Sequence, residues 1–296
     1  MAEFGVYVFW AGYFLLSMVC QLVAGDFPHG FFVFPANAAV MLLWMAVLWV
    51  LFREKRNSWL VSTLLSRKST FVLLGVFTAA CIIQGLSSEK YTVSWWFVAA
   101  VFGLLSHLYL VILRGMSGKR PFRLRFFLNH AGVFLAIAAG FFGSPDTEEW
   151  RTVASIGGPA REAVDADGRV IALDYDIRLT GFYIDSYAGG VPRSYEAAIT
   201  VDEDKDFLLR VNHPHRLSWQ DNLYLSGVGN FDGNVTGKEN CILQIVRQPW
   251  KYVEFTGILM LLSGCLLLFL QGPAGRSAES GKAMHERSAA AGSGRK

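Results

Sequence analysis

Two of the six histidines, His107 and His130, lie deep inside long runs of apolar residues. An ionisable side chain in such a run is costly and often functional. Neutral imidazole is a good ligand for haem iron. Two histidines at one depth could therefore form a bis-His site, or either could pair with a ligand from a partner. The plainer alternative is a hydrogen bond between helices, and Ser106 and Asn129 stand beside the two rings as candidate partners. A third group, Asn212-His213-Pro214-His215, could contact a metal or haem, or could be a strand ending in a turn where Pro stops the ladder. His29 has no partner that the sequence names, and His285 reads as solvated. The four cysteines (Cys20, Cys81, Cys241, Cys265) are scattered with no CxxC or CxxCH, which excludes a zinc ribbon, a dithiol redox site and a c-type cytochrome in this chain. GxSxG, HExxH, Walker A and GxGxxG contexts are also lacking, so no soluble hydrolase or nucleotide enzyme is suggested.

The elements that must hold these residues follow from composition. The chain has 296 residues, 53% of them hydrophobic and only 17% charged, against roughly 25% charged in a soluble domain. The apolar residues come in blocks. About 20 of them span a bilayer core, and six runs qualify: Val6–Ala24, Phe31–Phe52, Thr70–Leu86, Val93–Leu113, Phe126–Phe142 and Val253–Leu270. The first lacks the basic start and clear cleavage site of a signal peptide and reads as a retained helix.

Charge orients the runs. Arg53, Lys55, Arg56, Arg67 and Lys68 lie between the second and third, and Arg114, Lys119, Arg120, Arg123 and Arg125 between the fourth and fifth. The tail carries Arg276, Lys282, Arg287, Arg295 and Lys296. The alternate loops carry Asp26 and His29, then Glu89 and Lys90. By the positive-inside rule the basic loops and both termini are cytoplasmic. Residues 144–250 hold 17 acidic against 10 basic side chains, about −7 in a chain whose net charge is +3. This block then lies outside. Such a split points to two environments and not to a nucleic-acid surface. On this topology His107 and His130 both lie about 7–9 Å inside the cytoplasmic boundary.

Within 144–250 the period changes to two. Short alternating segments (169–173, 175–179, 195–201, 207–211, 222–225, 241–246) are separated by turn formers such as Asp165-Ala166-Asp167-Gly168. This predicts an antiparallel β domain. The expected fold is a six-helix transmembrane bundle with an extracytoplasmic antiparallel β domain inserted between helices 5 and 6. The expected parts are a five-helix region 1–143, the β domain 144–250, a final helix 251–270 and a disordered cytoplasmic tail 271–296 rich in Gly, Ala and Ser. Asn234-Val235-Thr236 fits a glycosylation sequon but has no supporting context.

Several stretches resemble the ResB (CcsB) family of System II cytochrome c biogenesis proteins. Asn129-His130-Ala131-Gly132, with Gly140 and Gly143 beyond it, resembles that family's "His-x-Gly…Gly" membrane helix. Val211-Asn212-His213-Pro214, with Tyr224 ten residues on, resembles its "Val-Asn-His-Pro…Tyr-Gln" segment. Leu243 to Trp250, then Tyr252 and Gly257, resembles the "Leu-x-Val-x-x-Asp-Pro…Gly" entry to the last helix. Leu173 to Tyr195, with Phe182, Tyr187 and Pro192, resembles a fourth stretch. Leu225 stands where the family often has Gln, and Gln248 where Asp is common. The Trp-rich motif of the CcsA partner is lacking, so the resemblance is to the ResB half and not to a fused synthase.

The resemblance implies a membrane subunit that works with a CcsA/ResC-type protein in the bacterial cytoplasmic (inner) membrane. The pair would carry non-covalent haem b across the bilayer and support its attachment to the CxxCH of apocytochrome c. It implies His130 as a haem-iron ligand and gives His213 an essential or structural role; His107 rests on depth alone. Arg120, Arg123 and Arg125 could meet haem propionates, since Arg pairs bidentately with carboxylate, although topology alone also accounts for them. The residues show no acid–base or nucleophile constellation, so the subunit is expected to be non-catalytic alone, within a holocytochrome c synthase (haem lyase) complex. Two alternatives stand beside this: a b-type haem electron-transfer membrane protein, and a haem-free membrane receptor or scaffold.

Overall fold

A computed structural model describes residues 2–88, 91–117, 123–189, 192–202, 205–228 and 240–271. The tail read as disordered lies outside these residues from 272 onward, as do Glu89, Lys90, Lys119, Arg120 and the Asn234 sequon. The chain divides into two compact units, Met1–Phe142 with Tyr252–Lys296, and Gly143–Lys251.

The first unit is helical: α1 (Ala2–Ala24), α2 (Ala36–Glu54), α3 (Trp59–Leu64), α4 (Arg67–Leu86), α5 (Trp95–Met116), α6 (Leu124–Gly143) and α7 (Lys251–Gln271). All but α3 are long and apolar enough to cross a membrane. α2 begins at Ala36 and not at Phe31 as expected, because the chain up to Pro35 is occupied by a 3-10 turn over His29–Phe31. α3 was not expected. It forms inside the basic loop because Ser58 caps it, accepting from the Val61 amide at 3.3 Å, and the chain turns again where Ser66 caps α4 by accepting from the Ser69 amide at 3.1 Å.

α5 is the most buried helix, with Val98, Leu104, Leu105 and Leu110 all inside. Helices α6 and α7 meet with backbone against backbone. A Cβ on Gly132 would stand 2.7 Å from the Leu261 amide nitrogen, and one on Gly257 would stand 2.5 Å from that of Ala136. Without a hydrophobic driving force between helices in lipid, such close approach through small residues is what holds two spans together.

The second unit is one eight-stranded antiparallel sheet: β1 (Glu148–Ser155), β2 (Pro159–Val164), β3 (Val170–Ser186), β4 (Pro192–Val201), β5 (Lys205–Arg210), β6 (His215–Arg216), β7 (Asp221–Val228) and β8 (Asn240–Arg247). The strand order is β5-β4-β3-β2-β1-β8-β7-β6. β5 and β6 are thus opposite ends of the sheet, yet only residues 211–214 separate them in the chain. The sheet must therefore curl round on itself into a nearly closed barrel. Its interior is filled by Ile177, Leu179, Ile199, Leu209, Leu223, Leu243 and Ile245, all fully or almost fully buried.

The expected strands 169–173 and 175–179 are one 17-residue strand, β3, and the break expected at Asp174 falls where its pairing with β2 slips, Ala160 facing Ile177 and Glu162 facing Ala172. Such an irregularity interrupts the side-chain alternation and so imitates a strand end. β1 and β2 were not expected: their sequences, Glu148–Ser155 and Pro159–Val164, carry charges on the open face and flank Gly157-Gly158.

Candidate functional site

His107 lies on α5, buried, with both ring nitrogens engaged. Nδ1 bonds the Leu64 carbonyl at 2.5 Å and Nε2 bonds the Thr70 hydroxyl at 3.0 Å. Since a carbonyl can only accept, Nδ1 carries the proton and Nε2 accepts from Thr70. The last carbonyls of a helix have no partner within it, and three where α3 ends, those of Thr63, Leu64 and Leu65, are met by side chains. Ser69 Oγ donates to Thr63 O at 2.5 Å, His107 to Leu64 O, and Arg114 Nη1 to Leu65 O at 3.3 Å. Trp10 Nε1 donates in turn to Ser69 Oγ at 2.8 Å. His107 thus satisfies a helix end inside an apolar bundle, where an unpaired carbonyl would cost several kcal/mol, on the order of the figure for hydrocarbon.

His130 on α6 is built differently. Its Nδ1 donates to the carbonyl of Phe126, one turn earlier, at 2.9 Å. The ring lies over the Phe126 ring with centroids 4.1 Å apart. The carbonyl fixes the tautomer, so Nε2 presents its lone pair, and this atom has no hydrogen-bond partner among the described residues. Metal-ligating histidines are commonly oriented by such a bond from the other nitrogen. The fold brings His130 and His107 within electrostatic reach of each other. The neighbours Gly132 and Asn129 both face α7, Asn129 accepting from Cys265 Sγ at 3.7 Å.

His213 is on the β unit and exposed. Its backbone amide donates to Arg210 O at 3.1 Å, and its Nδ1 bonds Val211 O at 3.1 Å. Asn212 takes the left-handed conformation, φ 63°, which Asn tolerates better than most residues. Beyond the turn, His215 stacks flat on Phe207 of β5, centroids 3.5 Å apart and planes 7° apart. The Asn-His-Pro-His segment is therefore the corner at which the two edges of the barrel come together. Burial and the nearby Lys205 push the His215 imidazole below its ordinary value.

A polar cluster in the β unit escaped the sequence reading. Asp221, 2% exposed, accepts from Arg247 Nε at 2.8 Å and Nη2 at 3.3 Å, from Ser218 Oγ at 2.9 Å, and from the Tyr175 hydroxyl in a short bond. Arg247 also lies over the Trp150 ring at 4.7 Å. Burial and Asp221 push the Tyr175 phenol up to about 12. Burial alone would raise the Asp221 carboxyl, but the three donors outweigh it and hold it below the usual carboxylate range. Tyr175 and Arg247 lie in stretches already singled out, but nothing in their spacing marks Asp221 as their partner. The four cysteines are unpaired, and burial lifts the Cys241 thiol to about 12, which leaves it inert at neutral pH.

Six candidate spans with one antiparallel β unit are the architecture of a multi-pass membrane protein. Residues 122–240 match the family described as ResB-like. The match contains the His130 helix and the Asn-His-Pro corner, and ends before the Leu243–Trp250 motif. No curated protein matches the chain significantly. Among solved structures it is similar to "Cytochrome c Heme Lyase CcmF", at 13% identity and a TM-score of 0.36. That similarity covers 68% of this chain and 34% of that one, so this chain spans about a third of its length.

Proposed function

We propose that this protein is a ResB-like membrane subunit of cytochrome c maturation that holds haem during its passage across the bilayer, with His130 Nε2 as the iron ligand. The observation that carries this is the His130 imidazole. Its tautomer is fixed by Phe126 O, its ring is stacked on Phe126, and its lone pair is left open. Haem would supply an iron that accepts this lone pair. Phe126 and the apolar faces of the bundle would shield the porphyrin from water. His107 serves as structure: its Nε2 already accepts from Thr70, so a bis-His site would first have to break that bond.

Charge supports the orientation. The basic loops would face the cytoplasm, which places His130 at the inner side and the β unit, between the fifth and sixth spans, outside. There it would meet the apocytochrome. The Trp-rich CcsA-type protein would be the partner, and the thioether chemistry would depend on it.

The test is the haem spectrum of the purified chain, with and without a CcsA-type partner, alongside cytochrome c maturation in cells. His130→Ala should abolish the bound haem and the maturation. Bound haem and unchanged maturation in that variant would overturn the assignment.

A further inference from the structure

One turn of the β unit carries a bare tryptophan at the end where the chain leaves for α7. β1 starts at Glu148 and β8 ends at Arg247, and these two residues are paired. On its other side Arg247 pairs with Asp221, the first residue of β7. The β6–β7 turn, residues 217–220, therefore projects beyond the barrel at that same end. It is tied to the start of α7. Gln220 O accepts from the Gln248 amide at 3.1 Å and from Lys251 Nζ at 3.2 Å, and Lys251 Nζ also donates to Asn222 Oδ1 at 3.3 Å. Lys251 is the first residue of the last candidate span.

The backbone of the turn is held firmly. Ser218 Oγ accepts from the amides of Gln220 and Asp221, at 3.1 and 3.0 Å, and donates to Asp221 Oδ2 at 2.9 Å. Nothing holds the indole. Trp219 is 55% exposed and makes no hydrogen bond or ring contact among the described residues. The unit's other two tryptophans are engaged: Trp150 lies under Arg247, and Trp250 Nε1 donates to Asp146 Oδ2 at 2.6 Å.

The level of the turn follows from α7. Its only charges, Lys251 and Glu254, fall in its first turn, so the edge of an apolar bilayer core runs across that turn. The headgroup layer beyond the core is roughly 5–8 Å thick on each side, and a turn bonded to Gln248 and Lys251 lies within it. Tryptophan favours this layer, where the ring is shielded and its N–H stays wet. The charges beside the indole match. Arg216 is exposed, donates through Nε to Ser218 O at 3.0 Å, and lies within electrostatic reach of Lys251. The Asp221 carboxylate is already paired with Arg247. Two cations at this turn, in a unit with an acidic excess, complement the phosphates of lipid headgroups.

We infer that the β6–β7 turn is a membrane-docking tip, with the Trp219 indole seated among the phospholipid headgroups of the bilayer that α7 crosses. This requires only that α7 spans the bilayer and is independent of the haem reading. The full chain is made with 5-fluorotryptophan and placed in phospholipid nanodiscs, and its fluorine resonances are recorded. Trp219→Phe and Trp250→Phe assign two of them, and Tyr187→Trp adds a reference at the far end of β3, where Tyr187 is 59% exposed. Two paramagnetic probes are compared: a lipid with a nitroxide on its headgroup, and a gadolinium chelate dissolved in the buffer. The headgroup nitroxide should erase the Trp219 resonance as fully as that of Trp250, at the start of α7, and leave the Tyr187→Trp resonance in place. A Trp219 resonance that the nitroxide spares and the chelate erases overturns the inference, because the tip is then in water. A Trp219 resonance that neither probe reaches also overturns it, because protein then covers the indole.

Discussion

Removing Asp221 tests whether the buried cluster of the β unit is held as its geometry implies. Asp221→Ala takes away a 3% exposed carboxylate that accepts from Arg247 twice, from Ser218 and from Tyr175. Breaking a buried pair by removing one partner costs about 3–5 kcal/mol, because the other charge is left uncompensated. Two features place this case at the low end. Arg247 is itself 26% exposed and keeps Asp174 at 3.5 Å, whose side chain is 78% exposed and so contributes little. It also keeps the Trp150 ring, a cation–π contact of about 0.5–2 kcal/mol. The expected loss is therefore about 3 kcal/mol. Chemical unfolding of the full chain in detergent, followed by near-UV circular dichroism, measures it. Asp167→Ala is the control: its pair with Arg169 is 3.6 Å apart with both side chains more than two-thirds exposed, so its loss should stay within about 0.5 kcal/mol. Arg247→Met should cost about as much as Asp221→Ala, and the double variant should cost at least about 1 kcal/mol less than their sum. Equal effects of Asp221→Ala and Asp167→Ala, or strict additivity in the double variant, would refute the reasoning.

The same carboxylate sets an acid limit. Its folded value lies below the unfolded one, so its contribution is fully present above about pH 4 and is lost as pH falls through the folded value; the Asp221→Ala protein should lack that part of the acid sensitivity in unfolding midpoints measured against pH. Asn212→Ile forces a β-branched residue to φ 63° and should destabilise the β unit by about 1–2 kcal/mol, whereas Asn212→Gly should be tolerated. Thr70→Val removes the donor to His107 Nε2 and should cost about 0.6–1.7 kcal/mol in unfolding of the helical unit, with no change in haem spectrum. Gly257→Leu drives a branched side chain into the α6 backbone and should abolish stable expression, while Gly140→Ala, where an added Cβ meets nothing within 4 Å, should not; size-exclusion profiles of the two compare them directly.

The spans were legible because each has to be apolar over its whole length, and only their ends moved, at Pro35 and at the loop that hides α3. The β unit was legible as a class but not strand by strand. The slipped pairing with β2 around Asp174 divided β3 in the reading, and β1 and β2 carry their charges on the open face. The two membrane histidines looked equivalent in sequence because depth is a property of the run. What separates them is which carbonyl each ring meets, Leu64 from a neighbouring helix or Phe126 from its own. For the Asn-His-Pro segment, the turn explanation of its residue types is the one its geometry supplies.

The glycine seam between α6 and α7 has a consequence for how this chain can vary. Asn129, Gly132 and Ala136 on one helix meet Gly257, Leu261 and Gly264 on the other, a ridge repeating every three to four residues on each side. A single inserted or deleted residue within either helix would turn one ridge by about 100° against the other and put side chains where backbones now touch. Length changes in these two helices should therefore arise only in whole turns, while the loops at their ends stay free to lengthen. The seam acts as a reading frame in space, fixing the rotational phase at which His130 faces the rest of the bundle.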